Sequence, residues 1–146
     1  MPTFLQRRCM KYEPTQLFDL VADVDRYPEF MPWVLASHIR VRPDQTFLVD
    51  MTVGTGPLRK QFSTTGTLQR PHRIDIVSHD PLFDRYEQRW TFEATNEGQT
   101  NVECYVDLRL SSRLLNLLMA AVFDDRAEAT MSAYMQRARR LYGPRP

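Results

Sequence analysis

The chain has 146 residues, of which 25% are charged, and its formal net charge is +1. This length suits one domain with one core, so we predict a single domain over residues 1–146. The balanced charge gives no reason to expect DNA as a partner. The longest apolar run, Leu117 to Phe123, is about a third of the ~20 residues that a membrane-spanning helix needs. We therefore expect no membrane span.

The N-terminus and the two cysteines bear on the cellular compartment. Residues 1–8 enter an alternating pattern directly, with no apolar signal core and no amphipathic leader. Cys9 and Cys104 fall inside predicted strands, where a free cysteine usually behaves as a small buried hydrophobe. We expect a cytoplasmic protein with reduced thiols and no metal, and peripheral contact with the inner membrane stays open.

The first third of the chain predicts one strand and two short helices. Residues 3–11 alternate as a strand does, and Pro14 suits the first turn of a following helix. Pro28 and Pro32 then forbid one continuous helix, because each lacks an N–H and disfavours helical geometry in the residue before it. We call residues 24–34 the knuckle. Its aromatic side chains are expected to plug one end of the core or to form a mobile gate docked on the start of the last helix.

Residues 34–110 show the period-two alternation that is typical of strands. The segments 47–53 and 62–68 flank a Gly-Thr-Gly-Pro turn, which predicts a hairpin. A phosphate-binding loop would need a helix directly after the glycines, and the following residues are strand-like. The later strands are joined by short turns, so the pattern indicates an antiparallel meander.

The last third predicts a long C-terminal helix. At ~100° per residue its first two turns are apolar nearly all round, so that they need cover on more than one side. We expect either a core helix packed on the sheet or one wall of a site for an apolar ligand or a membrane. The residues that share one face are Leu115, Leu118, Met119 and Val122, and those that lie off it are Leu114 and Leu117.

These elements together predict an α+β fold. The expected order is one strand, two short helices, six strands and one long helix. A twisted antiparallel sheet buries one face against helices, and a single long helix that crosses a curved sheet leaves space between the two. We therefore predict a helix-grip, in which a curved sheet of about seven strands wraps around the long C-terminal helix.

Residues 12–33 resemble the signature of the coenzyme Q-binding, START-like family, which lies within the wider polyketide-cyclase and lipid-transport superfamily and has bacterial relatives described as ribosome-association toxins. Later segments agree with this resemblance, namely residues 80–83 before Trp90 and the end of the last helix around Arg137. The signature reads Tyr12-x-x-x-Gln16-Leu17-Phe18-Asp19-Leu20-Val21-Ala22-Asp23-Val24-Asp25-Arg26-Tyr27-Pro28-Glu29-Phe30-Met31-Pro32-Trp33.

The resemblance implies a START-like cavity between the long helix and the concave face of the sheet, holding ubiquinone or a similar isoprenoid lipid. Such sites are mostly apolar and enclose ~300 to 1,000 Å³. Phe30 and Trp33 are the expected gate. Arg126 either reaches the polar end of the ligand or pairs with a carboxylate at the rim, and we favour the rim pair. The other expected lining residues are Phe62, Phe83, Trp90, Leu115, Leu118, Met119 and Val122.

The sequence carries no catalytic motif. It has neither His-Glu-x-x-His nor Gly-x-Ser-x-Gly, and its neighbouring carboxylates are one or two residues apart, too close in sequence to converge as a general acid and base. Cyclase activity would rest on fold analogy alone. We therefore expect a non-catalytic ubiquinone or lipid carrier, or a chaperone, that supports respiratory electron transport and uses no cofactor.

An alternative function is binding to the large ribosomal subunit, which would block subunit association. Arg137, Arg139 and Arg140 form a basic surface that suits rRNA phosphates. The same surface suits anionic lipid headgroups at a membrane, and the sequence does not separate the two partners.

Overall fold

The computed structural model describes residues 3–55, 58–95, 97–120 and 123–143, except for the side chains of residues 4, 55, 58 and 118–127. The described strands form one sheet in the order β1-β7-β6-β5-β4-β3-β2, and every neighbouring pair is antiparallel. The predicted meander is thus confirmed. The strands are β1 (Thr3–Met10), β2 (Val34–Val41), β3 (Phe47–Thr55), β4 (Leu58–Gln69), β5 (Arg73–Val77), β6 (Phe83–Ala94) and β7 (Thr100–Leu110).

Two short helices follow β1, as predicted. The first, α1, spans Pro14–Ala22, and the side chain of Gln16 accepts the Glu13 N–H at 2.9 Å, which caps its N-terminus. A 3-10 helix spans Val24–Glu29 and contains Pro28. The chain therefore does not continue as one α-helix through Pro28, as the two prolines led us to expect.

The C-terminal helix that was expected is described as two helical stretches. They are α2 (Arg113–Ala120) and α3 (Phe123–Tyr142), and residues 121–122 between them lie outside the described residues. The long helix of the grip is α3, which at 20 residues is ~30 Å long. None of the described helices is long and apolar enough to cross a membrane.

The core lies between the concave face of the sheet and the helices. Trp90 and Phe92 of β6 stack with an interplanar angle of 6°, and Phe18 of α1 meets Phe92 edge-on at a centroid distance of 5.7 Å. From α3, Met131 and Tyr134 are buried against them. These contacts, together with the curved antiparallel sheet, give the α+β helix-grip that the sequence predicts.

The two cysteines have different environments. Cys104 is buried in β7, as expected, whereas Cys9 is exposed and its thiol donates to Gln99 Oε1 at 2.8 Å. The expectation of a buried Cys9 was wrong because β1 buries the alternate set of side chains, which ends at Met10. Period-two alternation marks a strand but does not say which of its faces is buried.

Asn116 fastens α2 to the end of β7. Its Nδ2 donates to Leu110 O at 2.5 Å and to Ser112 O at 3.0 Å, and its Oδ1 accepts the Leu110 N–H at 2.9 Å. The amide therefore pairs both backbone groups of Leu110, the last residue of β7, and holds α2 against the end of that strand.

We predict that Asn116→Ala lowers the free energy of unfolding by about 2 kcal/mol, because Leu110 loses both of its amide partners. Urea denaturation measures this change. Leu117→Ala is the matched control in the same helix, since Leu117 is 71% exposed and its truncation changes stability by less than ~0.5 kcal/mol. Equal effects of the two variants would contradict the role of Asn116.

Candidate ligand-binding cavity

An apolar cavity of about 80 Å³ lies between the concave sheet face and the helices. The inward-facing residues of β4 show how it arises, because Gly66 leaves space between Thr64 and Leu68. A Cβ added at Gly66 would meet only Asp75 O, at 3.9 Å. The described lining residues are Val21, Ala22, Val24, Tyr27, Ile39, Phe47, Val49, Met51, Phe62, Thr64, Gly66, Leu68, Ile74, Ile76, Tyr86, Gln88, Trp90 and Tyr134.

The cavity is smaller than the sequence analysis expected. Its 80 Å³ is well below the ~300 to 1,000 Å³ of sites that enclose drug-sized ligands. A ligand larger than a few water molecules would therefore have to displace part of the wall. The described wall includes five strands, which are joined by continuous backbone ladders, and the more weakly connected residues of α1 and the 3-10 helix.

The few polar groups of the cavity are uncharged. Tyr86 donates its hydroxyl to Gln88 Oε1 at 2.9 Å, and Gln88 Nε2 donates to Cys104 Sγ at 3.4 Å. Thr64 adds a hydroxyl. All described lining residues, the tyrosines included, are uncharged at pH 7.

Burial keeps the tyrosines and the cysteine of this region neutral. It raises the pKa of Tyr27, Tyr86 and Tyr134 well above the ordinary value for a phenol. It also raises the pKa of the Cys104 thiol to about 12. At neutral pH these groups therefore act as hydrogen-bonding groups rather than as bases or nucleophiles. Within the described residues, no three His, Cys, Asp or Glu side chains are grouped as metal ligands would be.

A pair of buried tyrosines connects the helices to the sheet. Tyr134 of α3 meets Trp90 edge-on at a centroid distance of 4.9 Å and Tyr27 at 5.7 Å. The Tyr27 hydroxyl donates to the carbonyl oxygen of Val21, and it lies close enough to the Tyr134 hydroxyl for each to influence the pKa of the other. The helix side of the cavity wall thus includes two phenols, one from the 3-10 helix and one from α3.

The structure places the expected lining residues in three groups. Phe62 and Trp90 line the cavity. Phe83 lies behind Phe62, with ring centroids 5.0 Å apart, and Leu115 is half-buried in α2; neither is among the described lining residues. The side chains of Leu118, Met119 and Arg126, and the whole of Val122, lie outside the described residues.

The two expected gate residues do not line the cavity either. Phe30 packs against Tyr27 and Tyr134 at centroid distances of 5.5 and 5.9 Å, so it supports the cavity wall from behind. Trp33 is half-buried at the edge of the core, and its carbonyl oxygen accepts the Gly54 N–H at 2.9 Å. Proline spacing predicts the knuckle but cannot tell which of its aromatic side chains points inward.

Sequence reasoning missed Tyr27, Gln88 and Tyr134 as cavity residues. For Gln88 a signal was present, because it is a polar residue at an inward-facing position between Tyr86 and Trp90. Tyr134 stands on the buried stripe of α3, and a periodic pattern does not separate core from cavity wall. Tyr27 depends on the tertiary approach of the knuckle to α3.

The knuckle is held to α3 by an ion-pair cluster. Arg137 lies over the Phe30 ring at 5.1 Å and pairs with Glu29 at 3.3 Å, while Arg26 pairs with Glu29 at 3.0 Å. The hydrogen bond from Arg26, supported by the charge of Arg137, lowers the pKa of Glu29. The Arg137 side chain is only 11% exposed, so its expected place in an exposed basic surface needs correction. Its charge is used within the fold.

Hydrogen bonds between side chains and the backbone also connect the knuckle to the edge strand β2. Ser37 Oγ donates to Val24 O at 2.6 Å, and the Ile39 N–H donates to Asp25 Oδ1 at 3.0 Å. Among the described residues, the knuckle therefore docks on β2 and on the later half of α3, whereas the expected contact with the start of the last helix involves side chains that lie outside the described residues. Aromatic packing alone did not indicate these polar connections.

Two surface features remain outside the cavity. Arg139 and Arg140 are exposed, and no carboxylate in the described part of the chain pairs with either. On α2, Leu114 and Leu117 are 65% and 71% exposed. The start of the C-terminal helical segment is thus covered on one side only, because α2 packs on β7 through Asn116 and leaves its other side to solvent.

The fold and the cavity together define a START-like helix-grip protein. A START superfamily protein from Mycobacterium smegmatis superposes with a TM-score of 0.80 at 15% identity, covering 95% of this chain and 98% of that one. The chain belongs to the polyketide cyclase / dehydrase and lipid transport family, whose sequence model matches residues 10–134.

Two curated relatives extend the comparison. The ribosome association toxin RatA of Pseudomonas aeruginosa is 31% identical over 144 residues, covering 98% of this chain and all of that protein. The mitochondrial coenzyme Q-binding protein COQ10 of Drosophila melanogaster is 27% identical over 146 residues, which cover 97% of this chain and 60% of that protein. The resemblance that the sequence suggested is confirmed, and both kinds of relative match nearly the whole chain.

We predict that Glu29→Gln loosens the knuckle, because it removes the carboxylate shared by Arg26 and Arg137. Hydrogen exchange at the Phe30 and Met31 amides, which donate to Tyr27 O, should become about two- to five-fold faster. Glu93→Gln is the control, since it makes the same change at an exposed position of β6. Unchanged exchange at Phe30 and Met31 would contradict the proposed role of the cluster.

Proposed function

We propose that the protein is a non-catalytic carrier or chaperone of an isoprenoid quinone such as ubiquinone, or of a similar lipid, that supports respiratory electron transport. The observation that carries this proposal is the cavity, which is apolar, lies between α3 and the concave sheet face, and contains few polar groups. The coenzyme Q-binding relative, matched along 97% of this chain, supports the same ligand class.

The chemistry of the described lining supports carriage rather than catalysis. Acid-base or nucleophilic catalysis requires a group whose pKa lies near the working pH. The ionisable groups in and beside the cavity are phenols and one thiol, and burial moves their pKa values away from neutrality. A lining of this kind binds and orients an apolar molecule without changing its bonds.

The small volume implies that binding opens the structure. The knuckle contributes Val24 and Tyr27 to the wall. It is connected to α3 by aromatic packing on Tyr134 and by the Glu29–Arg137 ion pair, and to β2 by two hydrogen bonds, rather than by the continuous ladder that joins the strands. We propose that it moves outward when the lipid enters. Phe30 and Trp33 then act as parts of the gate that move with the knuckle, not as direct contacts of the closed cavity.

A carrier must also collect its lipid from a bilayer, and α2 suits that contact. Leu114 and Leu117 are exposed beside Arg113, so an apolar strip lies next to a positive charge. Such a strip can enter the interface of an anionic membrane while the arginine remains among the headgroups. We propose that the protein works in the cytoplasm with peripheral contact of this kind at the inner membrane.

Gly66→Val tests the assignment of the cavity. The new side chain would fill part of the space without a backbone clash, since a Cβ there meets only Asp75 O at 3.9 Å, and valine suits a strand better than glycine does. We predict unchanged or higher stability in urea, together with a loss of decylubiquinone affinity of about ten-fold or more. Quenching of the tryptophan fluorescence measures the binding.

Thr67→Val is the matched control for this experiment. Thr67 is the next residue of β4 and is exposed on the opposite face of the sheet, so this substitution introduces the same valine side chain away from the cavity. Decylubiquinone affinity should remain at the wild-type value. If Gly66→Val folds and binds as the wild type does, the ligand does not occupy this cavity.

A second candidate function is association with the ribosome through binding to its large subunit. The relative with that name covers 98% of this chain, and Arg139 and Arg140 offer two exposed positive charges that no described carboxylate neutralises. Contacts between such arginines and rRNA phosphates would be strongly salt-dependent. This function uses the surface of α3 and does not require the cavity.

For this second function we predict that replacing both Arg139 and Arg140 by Glu lowers the amount of protein that co-sediments with large ribosomal subunits at low salt about ten-fold or more. Replacing Arg42 and Arg59 by Glu is the matched control, because it makes the same charge change at exposed positions of the β2–β3 turn and β4. Equal sedimentation of the two double variants would remove the electrostatic argument for ribosome binding.

A further inference from the structure

Gln88 is the residue of the cavity whose hydrogen-bonding groups are most clearly oriented. The Tyr86 hydroxyl donates to its Oε1 at 2.9 Å, which places the amide nitrogen on the other side, toward Cys104. Tyr86 and Gln88 stand on the same inward face of β6, two residues apart, so the strand itself maintains this arrangement.

The amide nitrogen retains hydrogen-bonding capacity for a ligand. It carries two hydrogens, and the acceptor described for it is the sulfur of Cys104 at 3.4 Å. A thiol sulfur is a weak acceptor, and burial holds this one in its protonated form. A carbonyl oxygen in the cavity would therefore be a better partner than sulfur, and it would meet a donor that is already positioned.

The same lining disfavours a charged ligand group. The described lining residues include no Lys, Arg or His that would neutralise an anion. A carboxylate or phosphate enclosed there would lose its hydration without gaining an ion pair, whereas an uncharged carbonyl needs only one hydrogen bond. The rings of Phe62, Tyr86 and Trp90 add flat apolar walls.

We infer that the polar end of the ligand is an uncharged ring that bears a carbonyl group, and that Gln88 Nε2 selects it by donating a hydrogen bond to that oxygen. This inference rests on the proposed carrier function and adds the residue that reads the ligand. Lipids whose enclosed end is an anion, such as fatty acids, are then rejected by the site.

Three probes with similar alkyl chains test the selectivity: decylubiquinone, decanoic acid at pH 8 and decylbenzene. The wild type should bind decylubiquinone at least about ten-fold more tightly than decanoate. Gln88→Met keeps the length of the side chain but removes the N–H groups. It should lower the affinity for decylubiquinone about five- to ten-fold and leave decylbenzene within about two-fold of wild type.

Each other result overturns the inference. Unchanged decylubiquinone affinity in Gln88→Met would refute the hydrogen bond from Gln88 to the ligand. An equal loss of affinity for decylbenzene would show that Gln88 contributes only packing against the ligand. Decanoate bound as tightly as decylubiquinone would contradict the charge selectivity. Should Gln88→Met fail to fold, Gln88→Leu serves the same comparison, and the wild-type ranking of the three probes decides the selectivity independently of any variant.

The outcome also separates this inference from the proposed function. If the wild type binds none of the three probes, the carrier function fails and the inference fails with it. If Gly66→Val prevents decylubiquinone binding while Gln88→Met does not weaken it, the carrier function stands and only the role of Gln88 is refuted.

Discussion

The edge-on contact between Tyr134 and Trp90 sets the spacing between the last helix and the sheet. With ring centroids 4.9 Å apart, it holds α3 on the concave face at the middle of β6. Met131 and Ala138, one turn before and one turn after Tyr134 on α3, are buried in the core, whereas the inward side chains of β4 shorten to Thr64 and Gly66 at the cavity. These short side chains leave space beneath the helix, and this space is the cavity.

The same tyrosine connects the cavity to the part of the fold that is best suited to move. Its ring contacts those of Tyr27 and Phe30, and one turn further along α3 Arg137 covers Phe30 and pairs with Glu29. A ligand that pushes against Tyr27 therefore acts on the whole cluster. Because ion pairs with exposed partners are weak, the Glu29 pairs add little to the free energy that holds the knuckle closed, which suits the opening that we propose.

Much of the fold could be predicted because strand alternation and proline geometry are local properties. The strands from residue 34 to 110, the two short helices after β1 and the meander all follow from them. The site was harder to predict from the sequence. Phe30, Trp33 and Phe83 are aromatic, as residues lining an apolar cavity often are, yet they lie behind its wall or away from it. Which side of a knuckle or strand faces a cavity depends on long-range packing, and Cys9 was misplaced for the same reason.

If the cavity carries an uncharged isoprenoid lipid, that lipid should remain with the protein during purification. The protein would be purified without detergent from cells that make quinones, and its organic extract would be examined by mass spectrometry. We expect an isoprenoid quinone in an amount close to one per chain, and less of it in the Gly66→Val variant. A wild-type extract that contains only anionic phospholipid or fatty acid, or no lipid, would contradict the account.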